Sequence, residues 1–174
     1  MQCFCARAKY DAPDLRQAIA EERPDALLVD INSWGALAAE AWGRPWAAVC
    51  PYPLAIRSRD VPRFGPGLAP AAGRLGRLRD TLLRPVVLGA IEHAMGPSLN
   101  EARRQLQLDP LKQVDDMFRR PPLVLYLTAE PFEYRRRDWP DNIVMIGPCD
   151  WDPPSESPGW LSEITGPIVL VTTS

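Results

Sequence analysis

The stretch Pro24-Asp25-Ala26-Leu27-Leu28-Val29-Asp30, then Trp34-Gly35-Ala36-Leu37-Ala38-Ala39-Glu40-Ala41-Trp42-Gly43-Arg44-Pro45, then Trp46-Ala47-Ala48-Val49, decides the fold. Residues 26–29 form a short, uniformly apolar run, the pattern of a parallel strand buried on both faces. Asn32 or Ser33 suits the start of a helix, where a side-chain oxygen can take an orphan backbone N–H. Trp34, Leu37, Ala38 and Ala41 then recur at helical spacing, and Gly43 stands where a helix closes through a left-handed residue. Residues 46–49 repeat the buried-strand pattern. Two such strands joined by one helix with tight connections make a βαβ unit. The expected class is therefore α/β, with a Rossmann-like doubly wound parallel sheet.

Working outward, residues 11–23 read as a helix with Asp11 or Ala12 at its start and Pro13 in its first turn. Its apolar stripe is Leu15, Ala18 and Ile19, and Pro24 stops it. Residues 50–73 are irregular and rich in Pro and Gly, a length that usually signals function rather than plain connection. Helical spacing resumes at Arg74 with Leu75, Leu78 and Leu82. It continues at Val86, Ala90 and Ile91 after a kink expected at Pro85, and a separate helix is expected over 98–106. Residues 123–127 and 143–146 read as strands. The loop between them carries Arg135, Arg136 and Arg137, which read as solvated surface. The division expected is a partial Rossmann-like domain over 1–147, a stiff Pro-rich linker over 148–167, and the first strand of a second domain over 168–174.

The 174 residues carry 20 Lys+Arg against 22 Asp+Glu. A net charge of −2 excludes a generally basic, nucleic-acid-coating protein. No apolar run is long enough to span a bilayer and no signal-peptide pattern opens the sequence, so the cytoplasm is the expected compartment. Cys3, Cys5, Cys50 and Cys149 include no C-x-x-C pair, and the single histidine, His93, has no cysteine neighbour. No metal site is expected, and the thiols read as reduced and mostly buried.

In open α/β sheets, ligands gather beyond the carboxyl ends of strands. Asp30 stands there after the first strand, suited either to orienting a histidine base or to an Asx turn. Thr173 and Ser174 follow the last apolar run, and hydroxyls and N–H groups at such a place suit phosphate. Trp34 lies close in sequence to Asp30 and reads as core or as a ligand face. Segment 57–84 holds seven arginines against Asp60 and Asp80, a net charge of +5 that admits peripheral contact with an anionic surface.

The segment over 24–30, 34–40 and 43–45 resembles the P-D-x-x-x-x-D … A-x-x-A-x-x-x-G-x-P stretch of GT-B glycosyltransferases of the UDP-glycosyltransferase superfamily. Phe64-Gly65-Pro66-Gly67 with Gly76-Arg77-Leu78-Arg79-Asp80 is similar to the loop of the bacterial macrolide, natural-product or glycolipid branch. Ile146-Gly147-Pro148 resembles the end of that family's first domain. Trp160-Leu161 with Ile168-Val169-Leu170-Val171-Thr172-Thr173-Ser174 resembles the opening of its second. The resemblance implies transfer of a hexose from a nucleotide diphosphate sugar, as co-substrate, to a hydroxyl of a lipophilic acceptor. Inversion is implied, with no metal and no other cofactor. It implies that Asp30 orients a histidine base, that Thr173 and Ser174 approach the donor phosphate, and that Trp34 and Phe64 contact the acceptor.

The sequence departs from the family pattern in three respects: no histidine precedes Asp30 and His93 stands at the wrong place to replace it, the first strands of the family's first domain are missing, and so is the Gly- and His-containing donor motif of its second. The expected chain is an internal or truncated piece of such an enzyme, inactive in isolation. The alternative is a non-catalytic α/β binding or partner module derived from one. An unrelated Rossmann enzyme would carry a G-x-G-x-x-G turn, which is absent.

Overall fold

A computed structural model describes residues 7–32, 34–62, 64–71, 73–149, 153–167 and 169. Four strands, β1 (Leu27–Asp30), β2 (Trp46–Cys50), β3 (Val124–Tyr126) and β4 (Ile143–Met145), pair in parallel in the order β1-β2-β3-β4. The register aligns Val29 with Ala48, Ala48 with Val124, and Val124 with Ile143. Helix α1 (Ala8–Glu22) precedes β1, α2 (Gly35–Trp42) joins β1 to β2, and α3 (Arg74–Gln105) lies between β2 and β3 with a 3-10 turn at Val114–Arg119. The expected α/β, Rossmann-like parallel architecture is present. Its described strands wind in one direction, as in one half of a doubly wound sheet.

Right-handed crossovers between successive neighbouring strands place every connection on the same face of the sheet. Side-chain alternation shows the result. Val29, Ile31, Ala48, Cys50, Val124 and Tyr126 point to the covered face and are buried with Leu54, Ile56 and Phe118. The opposite face presents Leu28, Asp30, Ala47, Val49, Leu123, Leu125, Leu127, Val144 and Ile146, none of them buried. A second cluster, Trp34, Leu37, Leu99, Ala102, Leu111 and Val114, packs α2 against the carboxyl half of α3. Arg103, only 1% exposed, locks that contact. It grips the Glu40 carboxylate at 2.7 and 2.9 Å and donates to the Asp109 carbonyl at 2.6 Å.

Local chemistry explains the element ends. Gly43 closes α2 at φ +71°, a left-handed conformation that costs an L side chain about 1–2 kcal/mol. Trp34 stands at the start of α2 with no side-chain cap, and Ser33 lies outside the described residues. Asp11 begins no helix, because its carboxylate is engaged by the Trp34 N–H at 3.3 Å and by Arg7 at 3.4 Å. Helix α1 therefore opens one turn earlier than expected, with Pro13 inside it.

Other expectations are corrected. The separate helix expected over 98–106 is instead the end of one helix of 32 residues, which contains Pro85 and Pro97. Each proline removes one helical hydrogen bond. The carbonyls so freed belong to Thr81 and His93, both exposed residues on the solvent side of the helix. Residues 26–29 are not buried on both faces: Leu28 is 60% exposed, on the sheet face that no described element covers. Of the arginine triplet, Arg135 and Arg137 are exposed as expected, with Arg137 reaching Asp60 at 2.6 Å, whereas Arg136 is buried against Glu133 at 2.9 Å. Cys50 is buried as expected, whereas Cys149 is exposed. Residues 153–167 are exposed nearly throughout and include a 3-10 turn at Gly159–Glu163.

Candidate functional site

A cleft of about 750 Å³ opens beyond the carboxyl ends of β2 and β3. One wall is Pro51 to Leu54 with Ile56, which follow β2 directly. A second is Val61, Pro62, Phe64, Gly65, Gly67, Leu68 and Ala69 from the irregular segment. The third is Leu127, Thr128, Phe132 and Tyr134, which follow β3. Of four phenylalanines and four tyrosines in the chain, Tyr52, Phe64, Tyr126, Phe132 and Tyr134 line this one space. All but Tyr126 are at least half exposed, so their rings are available to a ligand.

A buried polar network forms the floor. The Tyr126 hydroxyl donates to Glu133 Oε2 at 2.6 Å and accepts the Leu54 N–H at 3.1 Å. Glu133 Oε1 accepts the Tyr134 N–H and Arg136 Nη2, each at 2.9 Å. Arg136 Nη1 donates to the Ile56 carbonyl at 3.3 Å, and its guanidinium stacks 4.3 Å above the Trp139 ring. These bonds tie the loop after β2 to the loop after β3. Burial, reinforced by the hydrogen bond to Glu133, pushes the Tyr126 phenol well above its usual range. The phenol therefore stays protonated, while the Glu133 carboxylate is saturated by three donors. The floor is built to hold the shape of the cleft.

Farther out, ion pairs fix the wall. Arg57 donates through its backbone N–H to Asp115 Oδ2 at 2.8 Å, and its guanidinium reaches Asp115 Oδ1 at 3.0 Å and Asp116. Asp138 accepts the Ser58 hydroxyl and the Arg59 N–H, each at 2.7 Å. Asp60 is bonded by the side chain and backbone of Arg137, which hold its carboxyl down to about 2.

The expected site residues fall in different places. Phe64 lines the cleft. Asp30 ends β1, half-buried, and its Oδ1 accepts the Asn32 N–H at 2.7 Å, which is the Asx turn. Trp34 is buried in the α2–α3 cluster and does not line the cleft. Thr173 and Ser174, with most of the expected strand over 168–174, lie outside the described residues. His93 is exposed on α3. Among the described residues, no group of three or more His, Cys, Asp or Glu is placed to hold a metal ion. No described helix is long and apolar enough to cross a membrane.

Sequence reasoning missed Tyr52, Tyr126, Phe132, Glu133, Tyr134 and Arg136. A signal existed: Phe132-Glu133-Tyr134 lies just beyond the carboxyl end of β3, where the strand-end rule directs attention.

No protein-family model matches the chain. The chain is similar to the 4'-demethylrebeccamycin synthase of Lentzea aerocolonigenes, with 31% identity over 176 aligned positions. That similarity takes in 97% of this chain, which spans only 42% of the relative's length.

Proposed function

We propose that the chain is the acceptor-side part of a GT-B glycosyltransferase that moves a hexose from a nucleotide diphosphate sugar to a hydroxyl of a lipophilic natural-product or glycolipid acceptor. The transfer proceeds with inversion and without a metal. The observation that carries the acceptor assignment is the aromatic cleft beyond β2 and β3, apolar on three walls and polar at its floor. Such a space takes a flat lipophilic body and fixes its orientation through few hydrogen bonds. The similarity to 4'-demethylrebeccamycin synthase, a glycosyltransferase, supports the reaction class.

In this reading Phe64 packs on the acceptor, whereas Trp34, buried between α2 and α3, makes no wall of the cleft. Asp30 holds the tautomer and charge of a histidine base, and Thr173 and Ser174 meet the donor phosphate at the opening of the donor domain over 168–174. Titration of the 174-residue protein with a panel of hydroxylated polycyclic aglycones, followed by tryptophan fluorescence, tests it. Saturable binding is expected, weakened roughly tenfold by Phe64→Ala combined with Phe132→Ala, a loss of about 1.4 kcal/mol. Absence of saturable binding across the panel refutes the acceptor assignment.

A further inference from the structure

Among the described residues that line the cleft, six carry polar side-chain atoms: Tyr52, Tyr126, Thr128, Glu133, Tyr134 and Arg136. Three of them are already engaged within the protein. The Tyr126 hydroxyl bonds Glu133 and Leu54, the Glu133 carboxylate accepts three donors, and both terminal nitrogens of Arg136 are bonded. The remaining Arg136 nitrogen, Nε, is buried out of a ligand's reach. Tyr52 and Tyr134 stand on the walls, each at least half exposed, so water competes for their hydroxyls whether or not a ligand is present.

Thr128 differs from all of these. It stands two residues beyond the end of β3, half-buried, and its hydroxyl has no hydrogen-bond partner among the described residues. Its backbone is fixed on both sides: its N–H donates to the Tyr126 carbonyl at 2.8 Å, and its carbonyl accepts the Gly147 N–H at 3.0 Å. A β-branched side chain on a fixed backbone has few rotamers, so its hydroxyl is held ready before a ligand arrives and little freedom is lost on binding. A hydroxyl both donates and accepts. It therefore matches a hydroxyl or carbonyl oxygen on the ligand and offers nothing to a bare hydrocarbon edge.

We propose that Thr128 is a specificity-determining residue of the cleft: its hydroxyl bonds an oxygen on the edge of the aromatic acceptor and selects oxygenated ring systems over bare ones. This assignment rests on the acceptor reading of the cleft. Fluorescence titration of the 174-residue protein with 1-hydroxypyrene and with pyrene, flat bodies that differ by one hydroxyl, tests it. Thr128→Val keeps the shape of the side chain and removes its oxygen. It is expected to weaken 1-hydroxypyrene binding roughly five- to tenfold, the worth of one net hydrogen bond, and to leave pyrene binding unchanged. Thr128→Ser, which keeps a hydroxyl, is expected to bind both ligands as the wild type does. Tyr52→Phe and Tyr134→Phe are expected to leave the ratio of the two affinities within about twofold of wild type, because their hydroxyls stay hydrated.

A disturbed cleft weakens both ligands together, so the ratio is the readout. Should Thr128→Val fail to fold by circular dichroism, Thr128→Ala takes its place with the same expectation. Equal losses for the two ligands, an unchanged ratio, or a ratio that collapses in a tyrosine variant instead overturns the assignment and leaves the acceptor reading standing. Pyrenes that fail to bind the wild type while members of the aglycone panel bind also overturn the assignment alone. No binding by either set removes the acceptor reading and the assignment with it.

Discussion

Replacing Tyr126 by Phe removes one oxygen from the floor of the cleft and leaves the ring in place. That oxygen makes two bonds inside the protein, one to the Glu133 carboxylate and one from the Leu54 N–H. A hydrogen bond to a charged group contributes about 1.5–3 kcal/mol, and a buried N–H left without an acceptor costs about 1–3 kcal/mol. Relaxation of the loop after β2 recovers part of the second, so the expected loss is about 2–4 kcal/mol. For a chain of this size that lowers Tm by roughly 5–15 °C. Urea unfolding followed by circular dichroism measures it. A cycle with Glu133→Gln isolates the pair, with a coupling of about 1–2 kcal/mol expected between contacting residues. Because the same bonds position Leu54 and Ile56, aglycone binding is expected to weaken in parallel. A loss below about 0.5 kcal/mol, or strict additivity with Glu133→Gln, refutes the claim that this oxygen holds the two loops together.

Arg103→Ala leaves the Glu40 carboxylate with only Arg120, at 3.7 Å, and the Asp109 carbonyl without its donor, and is expected to cost about 2–4 kcal/mol in urea unfolding. Phe132→Ala, at a side chain 96% exposed, is expected to leave stability within about 0.5 kcal/mol of wild type while reducing aglycone binding. Asp60 titrates at about 2 when folded against an ordinary 3.8, so its contribution to stability is complete above pH 4 and is lost as the pH falls toward 2. Carboxyl-carbon NMR titration of Arg137→Gln is expected to return Asp60 toward its ordinary value. Burial holds the Cys50 thiol up at about 11, so iodoacetamide at pH 8 is expected to label Cys149 and spare Cys50 until the chain unfolds, as read by mass spectrometry.

The βαβ core was legible because its signals are local. The apolar run before Asp30 sits on β1, Gly43 closes α2 in the left-handed region, and Trp46-Ala47-Ala48-Val49 lies on β2. The continuity of α3 was not legible. A proline rule weighs the lost bond, but not the hydration available to an exposed carbonyl. The cleft floor was not legible either, since Tyr126 meets the Leu54 N–H across 72 positions of sequence and Arg136 meets the Ile56 carbonyl across 80. The exposure of Leu28 is a further limit: an apolar side chain announces that a face wants covering and does not say whether it is covered.

The tethers at 57–60 have a consequence for how this molecule can change. Segment 61–73 begins at a loop pinned to Asp115, Asp138 and Arg137 and ends where α3 begins. Its described residues supply one wall of the cleft and none of the buried core clusters. Both of its ends are therefore fixed by atoms that do not belong to it. A span so mounted behaves as a cassette: its length and side chains can be exchanged for those of another sequence, resizing the cavity while the sheet and its helices fold as before.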